Sequence, residues 1–136
     1  MTDAGGPILG VGLQMHVDPR LWPSAELIRE NMLRFSDLGL LVEITEMDVA
    51  VGEMQGTIDQ KLERQRNLTH DIVAACLSVE RCFGIIFWGF TDKYSWLNSR
   101  EWGPLRGRMP HYPLPFDAEY RAKPMVAGIL DAFTHR

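Results

Sequence analysis

Residues 40–49 read LLVEITEMDV, an apolar and β-branched run that ends in acidic residues. Their composition and length predict a buried β-strand. Glu46 and Asp48 are two positions apart, so on a strand both side chains project to the same side. A carboxylate is costly to bury unless it is paired or hydrogen-bonded, so this pair marks either a solvated strand end or a functional site.

Two more strands and three helices are predicted around this strand. Apolar runs predict strands over residues 8–15 and 84–90, and the second of these is apolar throughout, which is typical of a parallel sheet covered on both faces. Helices are predicted over residues 24–39, over residues 57–79 and from Pro124 onwards. The alternation of strands and helices predicts an α/β fold with a parallel sheet, in a chain long enough for one domain.

The predicted helices carry capping signals and apolar faces. Ser24 is placed to cap the first helix, and Thr57 with Gln60 forms a capping-box pattern at the start of the second. The residues that recur at helical spacing, and form the apolar faces of these helices, are Ile28, Met32 and Phe35, then Ile58, Leu62, Ile72, Cys76 and Val79, and finally Met125 or Val126 with Ile129, Leu130 and Phe133.

Composition and charge exclude several classes of partner. The 136 residues carry a formal net charge of −4, which argues against a nucleic acid or an anionic membrane surface. No apolar run approaches the ~20 residues that span a bilayer, and residues 1–7 lack the basic and apolar segments of a signal peptide. Two cysteines are too few for a disulfide scaffold or a four-cysteine zinc site, and His70, His111 and His135 have no ligand spacing. We therefore predict no metal and no cofactor.

All three predicted strands lead into residues suited to binding or chemistry. Because ligands bind at the carboxyl ends of strands in parallel α/β folds, these residues are expected to meet at one edge of the sheet. They are Gln14 and His16 at the first strand, Glu46 and Asp48 at the second, and Trp88 followed by Trp96 at the third.

These residue types suit a sugar. The rings of Trp88 and Trp96 offer flat apolar faces with one N–H donor, which match the C–H face of a pyranose. A retaining glycosidase uses one carboxylate as nucleophile and a second carboxyl group, about 5–5.5 Å away, as acid/base. Glu46 is the nucleophile candidate, whereas Asp48 is better placed to hold His16 within hydrogen-bond reach of Glu46.

Each assignment has a structural alternative at this point. The alternative for His16 is a structural histidine, and the alternative for Trp88 and Trp96 is packing in the core. Cys76 and Cys82 are either two buried thiols or a disulfide, because a turn between a helix end and a strand start can bring them together.

Two other glutamates are weaker candidates for the second carboxyl group. Glu43 is three positions before Glu46, so strict alternation along the strand points it toward the helices and away from the site. Glu53 lies in the following loop and can approach the cleft, but general acid catalysis first requires reach to the leaving oxygen. We therefore expect neither to act as the acid/base.

The remaining residues of interest have structural interpretations. Asp92 and Lys93 are adjacent in the loop after the third strand, where we expect them to brace the loop as an ion pair. Trp22 and Trp102 have no functional context, and we expect them to pack in loops or at the rim.

Several ordered motifs resemble glycoside hydrolase family 10, the endo-β-1,4-xylanases. The stretch ITEMDV at residues 44–49 resembles the nucleophile motif of that family. The other matching stretches are GVGLQMH (10–16), CLSVERCFGI (76–85), FWGFTDKYSW (87–96), PLPFD (113–117) and the pair KP (123–124). This resemblance covers nearly the whole chain and implies that residues 1–136 are the C-terminal part of the family's catalytic (β/α)8 barrel, strands six to eight.

The resemblance implies a role for each residue at the strand ends. Cys76 and Cys82 lie in a stretch that carries a disulfide in many secreted members. The resemblance implies that Glu46 is the nucleophile and that His16 and Asp48 form the network that fixes and tunes it. It implies that Gln14 contacts the sugar near the nucleophile. Trp88 would form a wall of the subsites on the non-reducing side, and the ring of Trp96 would close over the same region.

The resemblance is also partial. A complete barrel takes ~250 residues, and the family's acid/base glutamate stands in a Trp-x-x-x-Asn-Glu context that this sequence does not contain. The resemblance therefore implies retaining hydrolysis of xylan in which the chain supplies the nucleophile half of the site and is inactive alone. The alternatives are a non-catalytic xylo-oligosaccharide-binding remnant and a related enzyme that cleaves β-1,4-glucan.

Partners and location follow from the same resemblance. The implied ligands are xylan or xylo-oligosaccharides, without a cofactor. Three parallel strands from a barrel leave two unpaired edges, so we expect self-association or complementation by an N-terminal barrel portion. Because xylan lies outside cells, the resemblance implies a secreted protein.

Overall fold

The structure is a computed structural model that describes residue 5, residues 7–99 and residues 110–134. The predicted alternation of strands and helices is confirmed. The elements are β1 (Gly10–Leu13), β2 (His16–Val17), α1 (Ala25–Asp37), β3 (Leu41–Val49), α2 (Ile58–Leu77), β4 (Cys82–Phe87) and α3 (Pro124–Thr134), with two 3-10 turns at Asp92–Tyr94 and Trp96–Asn98.

Strand β3 is the centre of a parallel sheet. On one side it pairs with β1 near its start and with β2 near its end, and on the other side it pairs with β4. All of these pairings are parallel, which confirms the predicted α/β fold. The carboxyl ends of the strands therefore lie at one edge, where the polar residues were expected to meet.

The predicted first strand, residues 8–15, is wrong in its bounds. The chain pairs with β3 in two segments, β1 and β2, and the pairing is interrupted at Gln14 and Met15. Leu13 lies opposite Ile44 while His16 lies opposite Asp48, so three steps along the first chain segment match four along β3. This mismatch depends on the partner strand, and the apolar pattern of residues 8–15 alone does not contain it.

The third strand also differs from its prediction. It runs from Cys82 to Phe87 instead of residues 84–90. Gly89 has a φ of 116°, a left-handed conformation that strands do not adopt, so the chain turns directly after Trp88.

The core lies on the helical face of the sheet. The β3 side chains Val42, Ile44, Met47 and Val49 are fully buried there, in one cluster with residues of all three helices. Of the residues on the predicted apolar faces, Ile28, Met32, Ile72, Cys76, Val79 and Met125 are buried in the core, whereas Ile58, Leu130 and Phe133 are exposed.

The predicted helix caps are both present. The side chain of Ser24 accepts a hydrogen bond from the Leu27 amide at the start of α1. At the start of α2, Thr57 and Gln60 each accept a hydrogen bond from the other's backbone N–H, the complete capping box. These local bonds begin each helix at the predicted position.

A register shift inside β3 overturns the predicted orientation of Glu43. Ile44 and Met47 are both buried against the helices although they are three positions apart, so one residue is inserted between them. Glu43 therefore lies on the face opposite the helices, where its Oε1 is 3.1 Å from the position that a Cβ would take on Gly84. Glu46 follows the shift and lies on that same face.

The non-helical face of the sheet is partly exposed. Ile86 of β4 and Leu41 of β3 alternate with core residues and are 50% and 40% exposed. The prediction that the third strand is covered on both faces is therefore wrong within the part of the chain that the structure describes. An apolar run predicts that both faces of a strand are covered, but it does not show which part of a protein covers the second face.

A disulfide joins Cys76 and Cys82, whose Cα atoms are 5.4 Å apart. Of the two alternatives for these cysteines, the structure therefore has the disulfide. The bond ties the end of α2 to the start of β4. None of the described helices combines the length and the apolar character that a membrane span requires.

Candidate active site

The edge formed by the carboxyl ends of β2 and β3 brings four polar side chains together. Nδ1 of His16 is 2.9 Å from Oδ2 of Asp48, and its Nε2 is 3.2 Å from Oε2 of Glu46. The amide Nε2 of Gln14 donates to Oε1 of Glu46 at 3.1 Å. Both oxygens of Glu46 thus have a nitrogen partner, and one imidazole connects the two carboxylates.

The sheet geometry explains this arrangement. His16 lies directly opposite Asp48 in the parallel pairing of β2 with β3, so their side chains share a face. Gln14 falls in the break between β1 and β2, where the backbone leaves the ladder and the side chain can reach the next strand. The irregular backbone and the register shift in β3 therefore lie at the same place as the site.

The number of protons that the His16 ring needs for both hydrogen bonds follows from its two partners. When both carboxylates are ionised they only accept hydrogen bonds, so His16 bonds to both at once only as an imidazolium with a proton on each nitrogen. In that state the group of Glu46, His16 and Asp48 carries a net charge of −1. The cation between them then balances much of the repulsion between the two carboxylates.

Asp48 is the most buried member of the group, with a side chain 1% exposed. Burial raises the pKa of Asp48 above its ordinary value, and the negative charge of Glu46 acts in the same direction. Hydrogen bonds from Trp96 and His16 oppose that rise. The charge on Asp48 therefore depends on these two donors.

The two tryptophans differ in their surroundings. Trp88 is 49% exposed, and its ring centroid lies 6.4 Å from that of His16 in an edge-on arrangement. Trp96 is 5.0 Å from His16 and donates its indole N–H to Oδ2 of Asp48 at 2.8 Å. The alternative of pure core packing therefore fails for Trp88, which leaves half of its surface open beside His16.

The predicted ion pair between Asp92 and Lys93 is wrong. Asp92 instead pairs with Lys123, 3.0 Å away, and both side chains are buried. Lys93 extends over the rings of Tyr94 and Tyr120, 5.4 and 5.2 Å from their centroids. Lys93, although adjacent in sequence, does not reach the buried carboxylate of Asp92. Lys123, which directly precedes α3, reaches it from the other side of the loop.

Sequence reasoning missed a set of buried groups behind the site. Gln65 of α2 is fully buried and donates to the carbonyls of Val49 and Tyr112. Lys123 donates to the same Tyr112 carbonyl at 2.7 Å. These bonds fasten the end of β3 to the segment around Tyr112. The signal for them in the sequence was Gln65 itself, a polar residue on the buried face of α2.

The other candidate residues make their contacts with groups other than the four polar side chains. Glu53 forms an ion pair with Arg20, 2.5 Å away, and Trp22 packs partly buried against the core. Burial lowers the pKa of His111, and His70 contacts Asp71. Among the described residues no cluster could hold a metal ion, and Trp102 and His135 lie outside them.

The comparisons with known proteins agree on one family. The family model "Glycosyl hydrolase family 10" matches residues 1–132. Endo-1,4-beta-xylanase B of Thermotoga neapolitana is 37% identical over 129 residues, which are 95% of this chain and 35% of the relative.

Two solved xylanases have the same fold. Xylanase 10B of Thermotoga petrophila in complex with xylobiose superposes with a TM-score of 0.81 and 36% identity, over 98% of this chain and 38% of that one. Xylanase10C of Cellvibrio japonicus in complex with xylopentaose gives a TM-score of 0.84 and 35% identity, over 96% of this chain and 28% of that one. These xylanases are TIM barrels of which this chain matches a part, which confirms the predicted partial barrel. The chain spans between 28% and 38% of the length of these relatives, and by its family match, its relatives and its fold it belongs to glycosyl hydrolase family 10.

Proposed function

We propose that this chain is the C-terminal portion, strands six to eight, of a retaining endo-1,4-β-xylanase barrel and that Glu46 is its nucleophile. The observation that carries the proposal is that two groups, the Gln14 amide and the His16 imidazole, are hydrogen-bonded to Glu46. These two contacts orient the carboxylate, and its side chain is 22% exposed, so it stays open to a ligand. Relatives named as endo-1,4-beta-xylanases supply the substrate class.

In the proposed reaction, a carboxylate oxygen of Glu46 attacks the anomeric carbon of a xylose unit. The carbon–oxygen bond to the next sugar breaks as the glycosyl ester forms, and the leaving oxygen takes a proton from the second carboxyl group. Water then attacks the ester, returns its proton to that group and frees Glu46. This chain has no counterpart of the family's acid/base glutamate motif, so it contributes one half of the mechanism.

The other residues bind and orient. The half-exposed ring of Trp88 forms a wall for sugars on the non-reducing side, where its face can pack on C–H groups. Gln14 contacts the sugar beside the nucleophile, and Trp96 bounds the same space from the following loop. The ligands are xylan chains or xylo-oligosaccharides, and the disulfide fits secretion into an oxidising compartment.

We expect the isolated chain to self-associate. β1 and β4 are each paired on one side only among the described residues, and Ile86 and Leu41 expose apolar surface on the open face. Such edges and faces pair readily with other chains. Sedimentation at micromolar concentration should show dimers or larger species, and a monomer with a sharp two-state unfolding transition would contradict the expectation.

The proposed function is tested by complementation. The chain is mixed with a fragment holding the first five βα units of xylanase 10B of Thermotoga petrophila, and reducing-sugar release from xylan is measured. We expect turnover in the mixture and none from either component alone, because the two carboxyl groups then lie in one barrel.

The remaining outcomes identify the alternatives. Xylo-oligosaccharide binding by the chain with no turnover in a mixture that forms a stable complex would indicate a binding remnant. Faster hydrolysis of β-1,4-glucan than of xylan would indicate the related glucanase. Turnover by the chain alone would refute the assignment of half a site.

A further inference from the structure

The loop after β4 places an indole donor on the carboxylate behind the proposed nucleophile. Nε1 of Trp96 and Nδ1 of His16 both bind the same oxygen, Oδ2 of Asp48, at 2.8 and 2.9 Å. We propose that Trp96 is a positioning residue whose N–H keeps Asp48 ionised and thereby holds His16 in contact with Glu46. The inference deepens the proposed function, because it concerns support of that nucleophile.

The surroundings of Asp48 make this donor important. Its side chain is 1% exposed, and its Oδ1 is buried without a hydrogen-bond partner among the residues that the structure describes. The charged groups that face it are His16 from β2 and Glu46 from its own strand. With burial and Glu46 both favouring a protonated Asp48, the donors from Trp96 and His16 are what oppose protonation.

Protonation of Asp48 would disturb the nucleophile. A neutral carboxyl group with its proton on Oδ2 becomes a donor at that atom and is a much weaker acceptor there than the carboxylate, so its hydrogen bond from Nδ1 of His16 weakens. The imidazole would then lose the charged partner that fixes the orientation of its ring. Glu46 would consequently lose an oriented neighbour at its Oε2, although Trp96 itself does not touch Glu46.

The backbone around Trp96 is built to hold the ring in place. The Ser95 hydroxyl accepts from the Leu97 amide and caps the 3-10 turn that begins at Trp96. The Asn98 side chain donates to the Asp92 carbonyl at 3.0 Å, and the Asp92 side chain is anchored by Lys123. The indole is therefore tied to the same buried ion pair that fastens the loop.

Trp88 offers a matched control. Its ring also lies beside His16, 6.4 Å between centroids, but no hydrogen bond joins it to Asp48. Trp88→Phe and Trp96→Phe make the same chemical change next to the same histidine. Only Trp96→Phe removes a donor from the carboxylate.

The test is an NMR titration of the Asp48 carboxyl carbon in the full chain. We expect Trp96→Phe to raise the midpoint by about one pH unit, as for loss of one hydrogen bond to a charged acceptor. Trp88→Phe should move it by less than about 0.3 unit. An unchanged midpoint in Trp96→Phe would overturn the proposal.

A second measurement needs no variant. In the wild-type chain the indole N–H resonance of Trp96 should titrate with the same midpoint as the Asp48 carboxyl carbon, while that of Trp88 should not follow it. An indole N–H of Trp96 that ignores the Asp48 titration would also overturn the proposal. Neither readout depends on xylan hydrolysis, so failure of the proposed function and failure of this inference are distinguishable.

Discussion

Replacing Glu46 with glutamine is expected to lower xylan hydrolysis in the complemented barrel by at least about a thousandfold. The amide keeps the size of the side chain and can still accept the hydrogen bond from Gln14. It cannot form the glycosyl ester, so the first step of the reaction is lost. The measurement is reducing-sugar release at saturating xylan, with binding of xylo-oligosaccharide checked separately by calorimetry.

The control for this experiment is Glu43→Gln, the same chemical change three residues earlier on β3. Glu43 lies on the same face as Glu46 but opposite Gly12 and Gly84, whereas Gln14 and His16 bond to Glu46. We expect its activity to fall by less than about tenfold, since it loses no group that touches the substrate. Comparable losses in both variants would contradict the assignment of Glu46.

A chemical rescue separates the nucleophile from a merely structural carboxylate. In Glu46→Ala the side chain is too short to react, which leaves room for a small external anion beside the sugar. Azide should then restore turnover of an aryl xyloside and give the glycosyl azide, with the anomeric configuration inverted because one displacement replaces two. Rescue without that product would argue against direct attack by Glu46.

Replacing Lys123 with methionine is expected to lower the free energy of unfolding by about 3–5 kcal/mol, since one partner of a buried ion pair is left uncompensated. The side chains of Lys123 and Asp92 are only 5% and 7% exposed, and the lysine also donates to the Tyr112 carbonyl. Urea denaturation at fixed chain concentration measures the loss. Lys93→Met is the matched control, and we expect it to change stability by less than about 1 kcal/mol because this lysine lies over exposed rings.

The pH dependence of the Lys123→Met loss gives an independent check. Burial raises the pKa of Asp92, and the charge of Lys123 opposes that rise. The pKa of folded Asp92 is already above its unfolded value, and without the lysine it rises further, which adds destabilisation at pH above the unfolded value. The loss should therefore be smaller at pH 4 than at pH 7. An equal loss at both values would indicate packing instead of charge.

Local signals accounted for the helix starts and the element order. Ser24 and Thr57 cap their helices with bonds that reach only three residues along the chain, so the letters around them suffice. The strand bounds were less predictable. The break at Gln14 and the shift within β3 arise from pairing between distant segments, and they reversed the expected direction of Glu43.

The ion pairs show the same division. Adjacency suggested Asp92 with Lys93, but burial selected Lys123, which is 31 positions away. A buried carboxylate needs a cation that approaches through the interior, and a neighbouring side chain on an exposed loop does not meet that condition. Gln65 was missed because its two acceptors come from β3 and from the segment at Tyr112.

The sequence by itself determined the α/β class, the parallel strands, the family and the set of residues at the strand ends. These properties rest on periodicity, caps and ordered motifs, which are local in the chain. The hydrogen bonds of His16 to Asp48 and Glu46 were also expected from the sequence. Only the tertiary structure decided that Asp48 is the buried member and that Trp96 rather than Trp88 binds it. Those facts depend on register and burial between segments that are distant in the chain, because hydrogen bonds and charges act through space and not along the chain.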